Sequence, residues 1–255
     1  MAISCFGIGC NSTVLEDTHE HPLQSVRDSR TLYKCDGCKE IGFGSSYQCR
    51  ESNCPGYQLH EECCTNLVSA RSPTTHPLFS VNVNFIFHKQ SPKHVGSCVA
   101  CGKDVQGFMW KGSPPNRNAF LRLGRHLLPS KALVMHPRCF NLPINRTNQG
   151  LNASEEGLNL ELKEKAPSKC LICDRKKISK KISGWAYVST SGEYCYHVKC
   201  VKDLVDKKFE QQSNLQLKVM QKAFKVSKEM TRMVLTLILS AIFREGVSDV
   251  VNLVF

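Results

Sequence analysis

The sequence lacks the features of exported and membrane-spanning proteins. No apolar run reaches the roughly 20 residues that a helix needs to cross a bilayer, and the apolar stretch at residues 233–243 is interrupted by Thr236 and Ser240. The first residues contain neither a positively charged region nor a long apolar segment, so we expect no signal peptide. We therefore expect an intracellular protein, in the cytoplasm, the nucleus or both.

The sequence also has few signs of catalysis and few aromatic residues. No Ser/His/Asp set, phosphate loop or pair of carboxylates stands out, which predicts that the chain is not an enzyme. No C-x2–4-C…H-x3–5-H finger is present, so no helix is indicated for the DNA major groove. Aromatic residues make up only 8% of the 255 residues. We therefore expect no conventional core over the whole length of the chain, and small modules with little apolar burial usually depend on metals or disulfides.

Cysteine, in contrast, is abundant, with 15 residues. In a reducing compartment cysteines bind metal more often than they form disulfides. One pattern, C-x2-C followed by H-x2-C, occurs three times. Each copy supplies three thiolates and one imidazole, a common ligand shell of structural zinc. The three sets are Cys35, Cys38, His60 and Cys63; Cys98, Cys101, His136 and Cys139; and Cys170, Cys173, His197 and Cys200.

A second ligand set is interleaved with the first. It comprises Cys49, Cys54, His76 and one of His19 or His21; the choice between the last two stays open, with His21 taken as the ligand. Interleaving of this kind is a cross-brace, in which two ions tie distant parts of the chain together. The sequence therefore predicts three to four zinc ions.

The region with the two interleaved ligand sets, here called module one, resembles the DC1 domain. This domain is a divergent relative of the diacylglycerol-binding domain of protein kinase C and is abundant in plant Cys/His-rich proteins. The resemblance is carried by HEHPL at 19–23, CDGC at 35–38, YQC at 47–49 and LHEEC at 59–63. Degenerate matches continue to about residue 205, in CVACG at 98–102, HPRC at 136–139, Gly184-Trp185 and HVKC at 197–200. The chain departs from the family where Cys49 and Cys54 are spaced C-x4-C instead of C-x2-C.

This resemblance implies a zinc-binding, non-catalytic interaction or scaffold protein, in signalling or stress response, with protein partners. Diacylglycerol is not expected as a ligand, because only ten residues separate Cys38 from Cys49 and leave no room for a long apolar loop pair. Ile41 and Phe43 are instead expected to pack in the core around the metal.

Two other functions fit parts of the pattern. Residues 35–101 also satisfy the order of a plant homeodomain finger, a chromatin reader, if Cys98 and Cys101 close the second site of that finger. A thiol-disulfide oxidoreductase would use a C-x-x-C pair with a low thiol pKa and solvent access. A ubiquitin ligase would normally need a further C-x-x-C, and no cysteine follows Cys200.

The chain is basic, with a formal net charge of +12. Such a protein is attracted to polyanions, so non-specific contact with nucleic acid or with an acidic membrane surface is a second kind of interaction to consider. Five cations, at residues 175–177 and 180–181, follow the third C-x-x-C. They indicate an import signal, a phosphate-contacting loop or simply a solvated loop.

These patterns divide the chain into an N-terminal tail (1–18), the DC1-like module (19–76), a second module (77–140), a linker (141–168), a third module (169–205) and an amphipathic C-terminal helix (206–255). The predicted fold is a set of small zinc-stabilised α+β modules with short β-hairpins and a cross-braced first module, followed by a long helix. Alternating apolar residues between Phe79 and Phe87 predict a strand of module two. The helix is expected to pack on module three or a partner, or to lie on a membrane surface.

Overall fold

A computed structural model describes residues 19–27, 31–54, 56–69, 72–79, 83–92, 95–113, 133–147, 158–210 and 228–243. These residues form short strands and helices in a sheet-rich α+β fold. The strands are β1 (Leu23–Val26), β2 (Leu32–Lys34), β3 (Ile41–Phe43), β4 (Ser46–Cys49), β5 (Gln58–His60), β6 (Asn84–His88), β7 (Met109–Ser113), β8 (Leu133–Met135), β9 (Asn145–Thr147), β10 (Asn159–Lys163), β11 (Ala186–Ser189) and β12 (Cys195–His197). The helices are α1 (Glu61–Ser69), α2 (Pro137–Phe140), α3 (Val198–Glu210) and α4 (Lys228–Phe243).

The strands form antiparallel sheets that follow the three Cys/His modules. Module one has a three-stranded sheet, β1-β4-β5, and the hairpin β2-β3. Module two has the sheet β6-β7-β8, and module three the sheet β12-β11-β10-β9. The strand expected from apolar alternation between Phe79 and Phe87 is confirmed for its second half, as β6, in which Phe85 is buried. Phe79 lies in no strand, and Val81 lies outside the described residues. Small sheet-rich modules are thus what the sequence predicted.

The predicted linker at 141–168 needs a correction, because part of it belongs to module three. Strand β10 pairs with β11, and β9 pairs with β10 at the outer edge of the same sheet. Leu160 and Leu162 are buried, which explains why this polar-looking segment is structured: its leucines alternate at the period of a half-buried strand.

A single long C-terminal helix is not evident in the residues that the structure describes. Helix α3 begins at Val198, directly after the last strand, and α4 covers Lys228–Phe243. Helix α4 packs against α3 and β9. Its buried residues include Val234, Leu235, Ile238, Leu239 and Ile242. The apolar stretch therefore packs on module three, which is one of the locations expected for it. Among the described helices, none has both the length and the apolar character needed to cross a membrane.

The three modules share one interior. The largest apolar cluster contains Phe43 of module one, Phe85 of module two and Trp185 of module three, together with the apolar face of α4. Backbone hydrogen bonds join the modules directly. Phe108 N donates to Gly37 O at 2.9 Å, and Trp185 N donates to Ala100 O at 2.8 Å. The modules are therefore packed into one body and not strung along a chain.

Candidate metal centres

Each C-x-x-C pair forms the same tight turn. The backbone N–H four residues after the first cysteine donates to that cysteine's carbonyl, at 2.9 Å for Lys39, 2.7 Å for Gly102 and 2.8 Å for Asp174. These three residues have positive φ angles of 65°, 70° and 53°. The left-handed residue turns the chain sharply, so that both thiols of the pair point to the same side. The repeat seen in the sequence is thus also a repeat of backbone geometry.

Each H-x-x-C pair lies where a strand meets a helix. His60 and His197 end β5 and β12, and His136 follows β8 directly. The next residue begins a helix in all three modules, which places the cysteine of the pair, Cys63, Cys139 or Cys200, on the first helical turn. A strand end and a helix start therefore fix the imidazole and the third thiol beside the two thiols of the turn.

The donor atoms of these three sets converge. Within each set, one ligand atom from every residue lies within 4.8 Å of the others. The histidine Nδ1 lies 3.2 Å from the Sγ atom of Cys38, 3.4 Å from that of Cys101 and 3.4 Å from that of Cys173. Its separation from the later thiol, that of Cys63, Cys139 or Cys200, is 3.8–3.9 Å. Tetrahedral zinc with Zn–S of about 2.3 Å and Zn–N of about 2.0 Å separates sulfur from nitrogen by about 3.5 Å.

The histidine tautomers fit a metal at Nδ1. His136 Nε2 lies 3.2 Å from Asp104 O, and His197 Nε2 lies 3.3 Å from Lys176 O. A carbonyl oxygen can only accept, so Nε2 carries a proton in both rings, and Nδ1 is the nitrogen that faces the thiols. In His136 this Nδ1 also lies 3.2 Å from a carboxylate oxygen of Glu40. Metal-bound histidines usually donate their other N–H in this way, which fixes the ring orientation.

The thiols of the third set form a proton-sharing cluster that suits a dication. A side-chain hydrogen bond from Cys200 lowers the pKa of Cys170 to about 3, while the pKa of Cys200 is raised by the same contact. One sulfur is thus a thiolate stabilised by its neighbours' protons. Zinc would replace those protons with two positive charges and hold all three sulfurs as thiolates.

A fourth group unites Cys49 and Cys54 with both His19 and His21. His19 Nε2 lies 3.7 Å from Cys54 Sγ. His21 Nδ1 is a buried nitrogen without a hydrogen-bond partner, which is the condition of a donor that faces a metal. His19 and His21 are therefore not alternatives, because both histidines line the group. This Cys2His2 group is more exposed than the first two sets, because only its Cys49 is buried.

His76, predicted to complete that group, is elsewhere. It is buried among aromatic rings, with its ring centroid 4.9 Å from that of Trp185 and 5.1 Å from that of Phe140. Burial lowers the pKa of His76 to about 4, so the ring is neutral and serves as a core residue. The assignment of His76 as a ligand is thus wrong. His19 and His21, together with Cys49 and Cys54, already supply four donors without His76. The close spacing of these two histidines is a signal that the sequence contains.

The positions of the cysteines also disagree with the alternative fold, the plant homeodomain finger. That reading would bring Cys98 and Cys101 to Cys49 and Cys54. Instead, Cys98 and Cys101 meet His136 and Cys139, and the middle cysteines meet the N-terminal histidines. The alternative is therefore contradicted by the way the modules fold.

Sequence reasoning missed a group of buried charges between the first two centres. Arg138 Nη1 lies 3.3 Å from His60 Nε2 and donates to Ile41 O at 3.2 Å. Lys202, from α3, pairs with Glu40 and lies 3.6 Å from Cys139 Sγ. A zinc ion held by three thiolates would give each centre a net charge of −1, and Arg138 and Lys202 would then supply positive charge between the first two centres. Charged residues have no apolar periodicity, and nothing in the sequence indicated their burial.

Comparison of the chain with protein-family models, with curated proteins and with solved structures finds no match. The function is therefore inferred from the four Cys/His groups, whose chemistry is compatible with zinc.

Proposed function

We propose that this protein is a non-catalytic zinc protein of the DC1 type, in which up to four zinc ions hold three modules together as an interaction scaffold. The observation that carries the proposal is that each C-x-x-C pair meets two further protein donors. Four protein ligands close a tetrahedral shell. Catalytic zinc sites, in contrast, normally keep one position for water or substrate.

Burial of the thiols favours the same function over redox catalysis. Cys35, Cys38, Cys98, Cys101 and Cys170 are at most 1% exposed. A thiol that exchanges with a substrate disulfide must be reached by it, and a thiolate bound to zinc is a poorer nucleophile than a free one. The oxidoreductase alternative therefore has little support.

Diacylglycerol recognition has no support either. Phe43 is 1% exposed and belongs to the shared interior, and Ile41 packs against the same cluster. The apolar residues between Cys38 and Cys49 thus face inward. The proposed partners are accordingly proteins, as the DC1 resemblance implies.

An insulin-reduction assay separates the scaffold from the redox enzyme. The zinc-loaded protein should leave insulin disulfides intact over a period in which thioredoxin reduces them fully, because its C-x-x-C pairs are closed. Catalytic turnover by the zinc-loaded chain, abolished by Cys173→Ser at the most exposed pair, would overturn the proposal and establish the oxidoreductase.

A further inference from the structure

Module three presents an exposed basic loop, residues 174–183, between its C-x-x-C pair and Gly184. Ile178 and Ile182 are half-buried, and Ile178 packs beside Gly102 of module two and Gly184. The cations of the loop point outward instead. The exposed cations are Arg175, Lys176, Lys177, Lys180 and Lys181.

The third metal centre fixes the shape of this loop. Cys170 N donates to Arg175 O at 3.0 Å, and His197 Nε2 donates to Lys176 O at 3.3 Å, so two residues of the site hold the first arm. The far end is a tight turn, closed by Ser179 N donating to Ile182 O at 3.1 Å. Lys180 and Lys181 therefore lie at the tip of this ordered turn, and Lys176 and Lys177 lie on the arm that leads to it.

The five cations have no internal counter-charge. Within the described part of the chain, none of them forms an ion pair, and the acidic residue of the loop, Asp174, pairs with Lys169 at 3.1 Å. Charges in such an arrangement attract a polyanion and release its counterions on contact.

We propose that the basic loop is a docking surface for the backbone phosphates of double-stranded nucleic acid, without sequence preference. Single-stranded nucleic acid is bound by stacking bases on aromatic side chains, and the loop has none. Stable attachment to a membrane usually takes an apolar anchor as well as charge. The isoleucines of the loop face inward, and Ile86 of module two is the one large exposed apolar residue among those described.

This inference rests on the proposed function in one respect, since zinc in the third centre would hold the loop in shape. The test uses the full zinc-loaded chain and a fluorescent DNA duplex of about 20 base pairs and mixed sequence, followed by anisotropy across a salt series. The variant carries Lys176→Gln, Lys177→Gln, Lys180→Gln and Lys181→Gln. A charge-matched control carries Lys34→Gln, Lys163→Gln, Lys165→Gln and Lys207→Gln. Zinc per chain is counted for every protein, so a failure of the zinc sites is seen separately.

The wild type should bind with a log–log salt slope of about −4, and the loop variant should lose at least about tenfold in affinity and most of that slope. The control should lose less than about threefold, because its lysines lie outside the loop. Equal losses in both variants, or no binding by a zinc-loaded wild type, would overturn the proposal. Preference for phosphatidylserine vesicles over the duplex, lost in the loop variant, would also overturn it and assign the loop to membranes. Two half-variants, at 176–177 and at 180–181, replace the full variant should it not fold; each should then lose part of the slope.

Discussion

The Nζ atom of Lys202 lies 3.6 Å from the Sγ atom of Cys139. The lysine comes from α3 in module three, and the cysteine belongs to the second metal centre. Glu40 of module one completes the contact as the ion-pair partner of the same lysine. One buried cation therefore links all three modules beside a candidate metal ligand, so metal binding at the second centre would be coupled to the packing of the modules.

Lys202→Met should destabilise the protein strongly. The substitution keeps the apolar stem but removes the lysine from the buried Glu40 carboxylate, which then keeps only His136 beside it. Removal of one partner from a buried ion pair costs about 3–5 kcal/mol. Urea unfolding of the zinc-loaded protein measures the loss. Lys207→Met on the exposed side of the same helix is the control and should stay within about 0.5 kcal/mol of wild type. Similar effects of the two substitutions would show that the buried pair does not link the modules.

His76 should make stability depend on pH between about 6.5 and 4. Its pKa is 6.5 in the unfolded chain and falls to about 4 in the folded state through burial. The unfolded state therefore binds the proton first as pH falls, and this contribution to stability, complete above pH 6.5, is lost towards pH 4. His76→Gln removes the titration. From pH 7.5 to 5.5 the wild type should lose about 1.4 kcal/mol more than the variant. A constant difference between the two proteins would contradict a buried, neutral His76.

The fourth metal group should depend on His21 and not on His76. His21→Ala removes one of four donors, so under a fixed concentration of chelator the protein should retain one zinc ion fewer. His76→Gln should retain the wild-type number, since that ring lies among aromatic side chains. The reverse result would restore the ligand set predicted from the sequence.

Gly107→Ala should separate modules one and two. A Cβ atom at Gly107 would overlap the backbone carbonyl of Gly37, which cannot move aside without breaking the hydrogen bond from Phe108 N. We expect the free energy of unfolding to fall by about 3 kcal/mol, the upper end of the range for overpacking. Gly192→Ala is the comparison: nothing lies within 4 Å of its Cβ, although its φ of 78° adds strain. That variant should lose only about 1 kcal/mol.

The sequence predicted the three main ligand sets because metal chemistry needs fixed residue types at fixed spacings. It predicted β6 because alternation is a local signal. It could not predict that Trp185 and Phe43 share one interior, since contacts between modules depend on surfaces brought together only by folding. His76 was misassigned for a related reason: a histidine near a metal motif looks the same whether its ring meets zinc or Trp185. The burial of Arg138 and Lys202 could not be predicted either, because charged residues ordinarily lie at the surface.

The most direct test of this account is the number of zinc ions per chain, measured by native mass spectrometry on protein purified under reducing conditions. We expect four zinc ions per chain, three held by Cys3His sets and one by the Cys2His2 group. None or one, with the cysteines titrating as free thiols or disulfides, would contradict it.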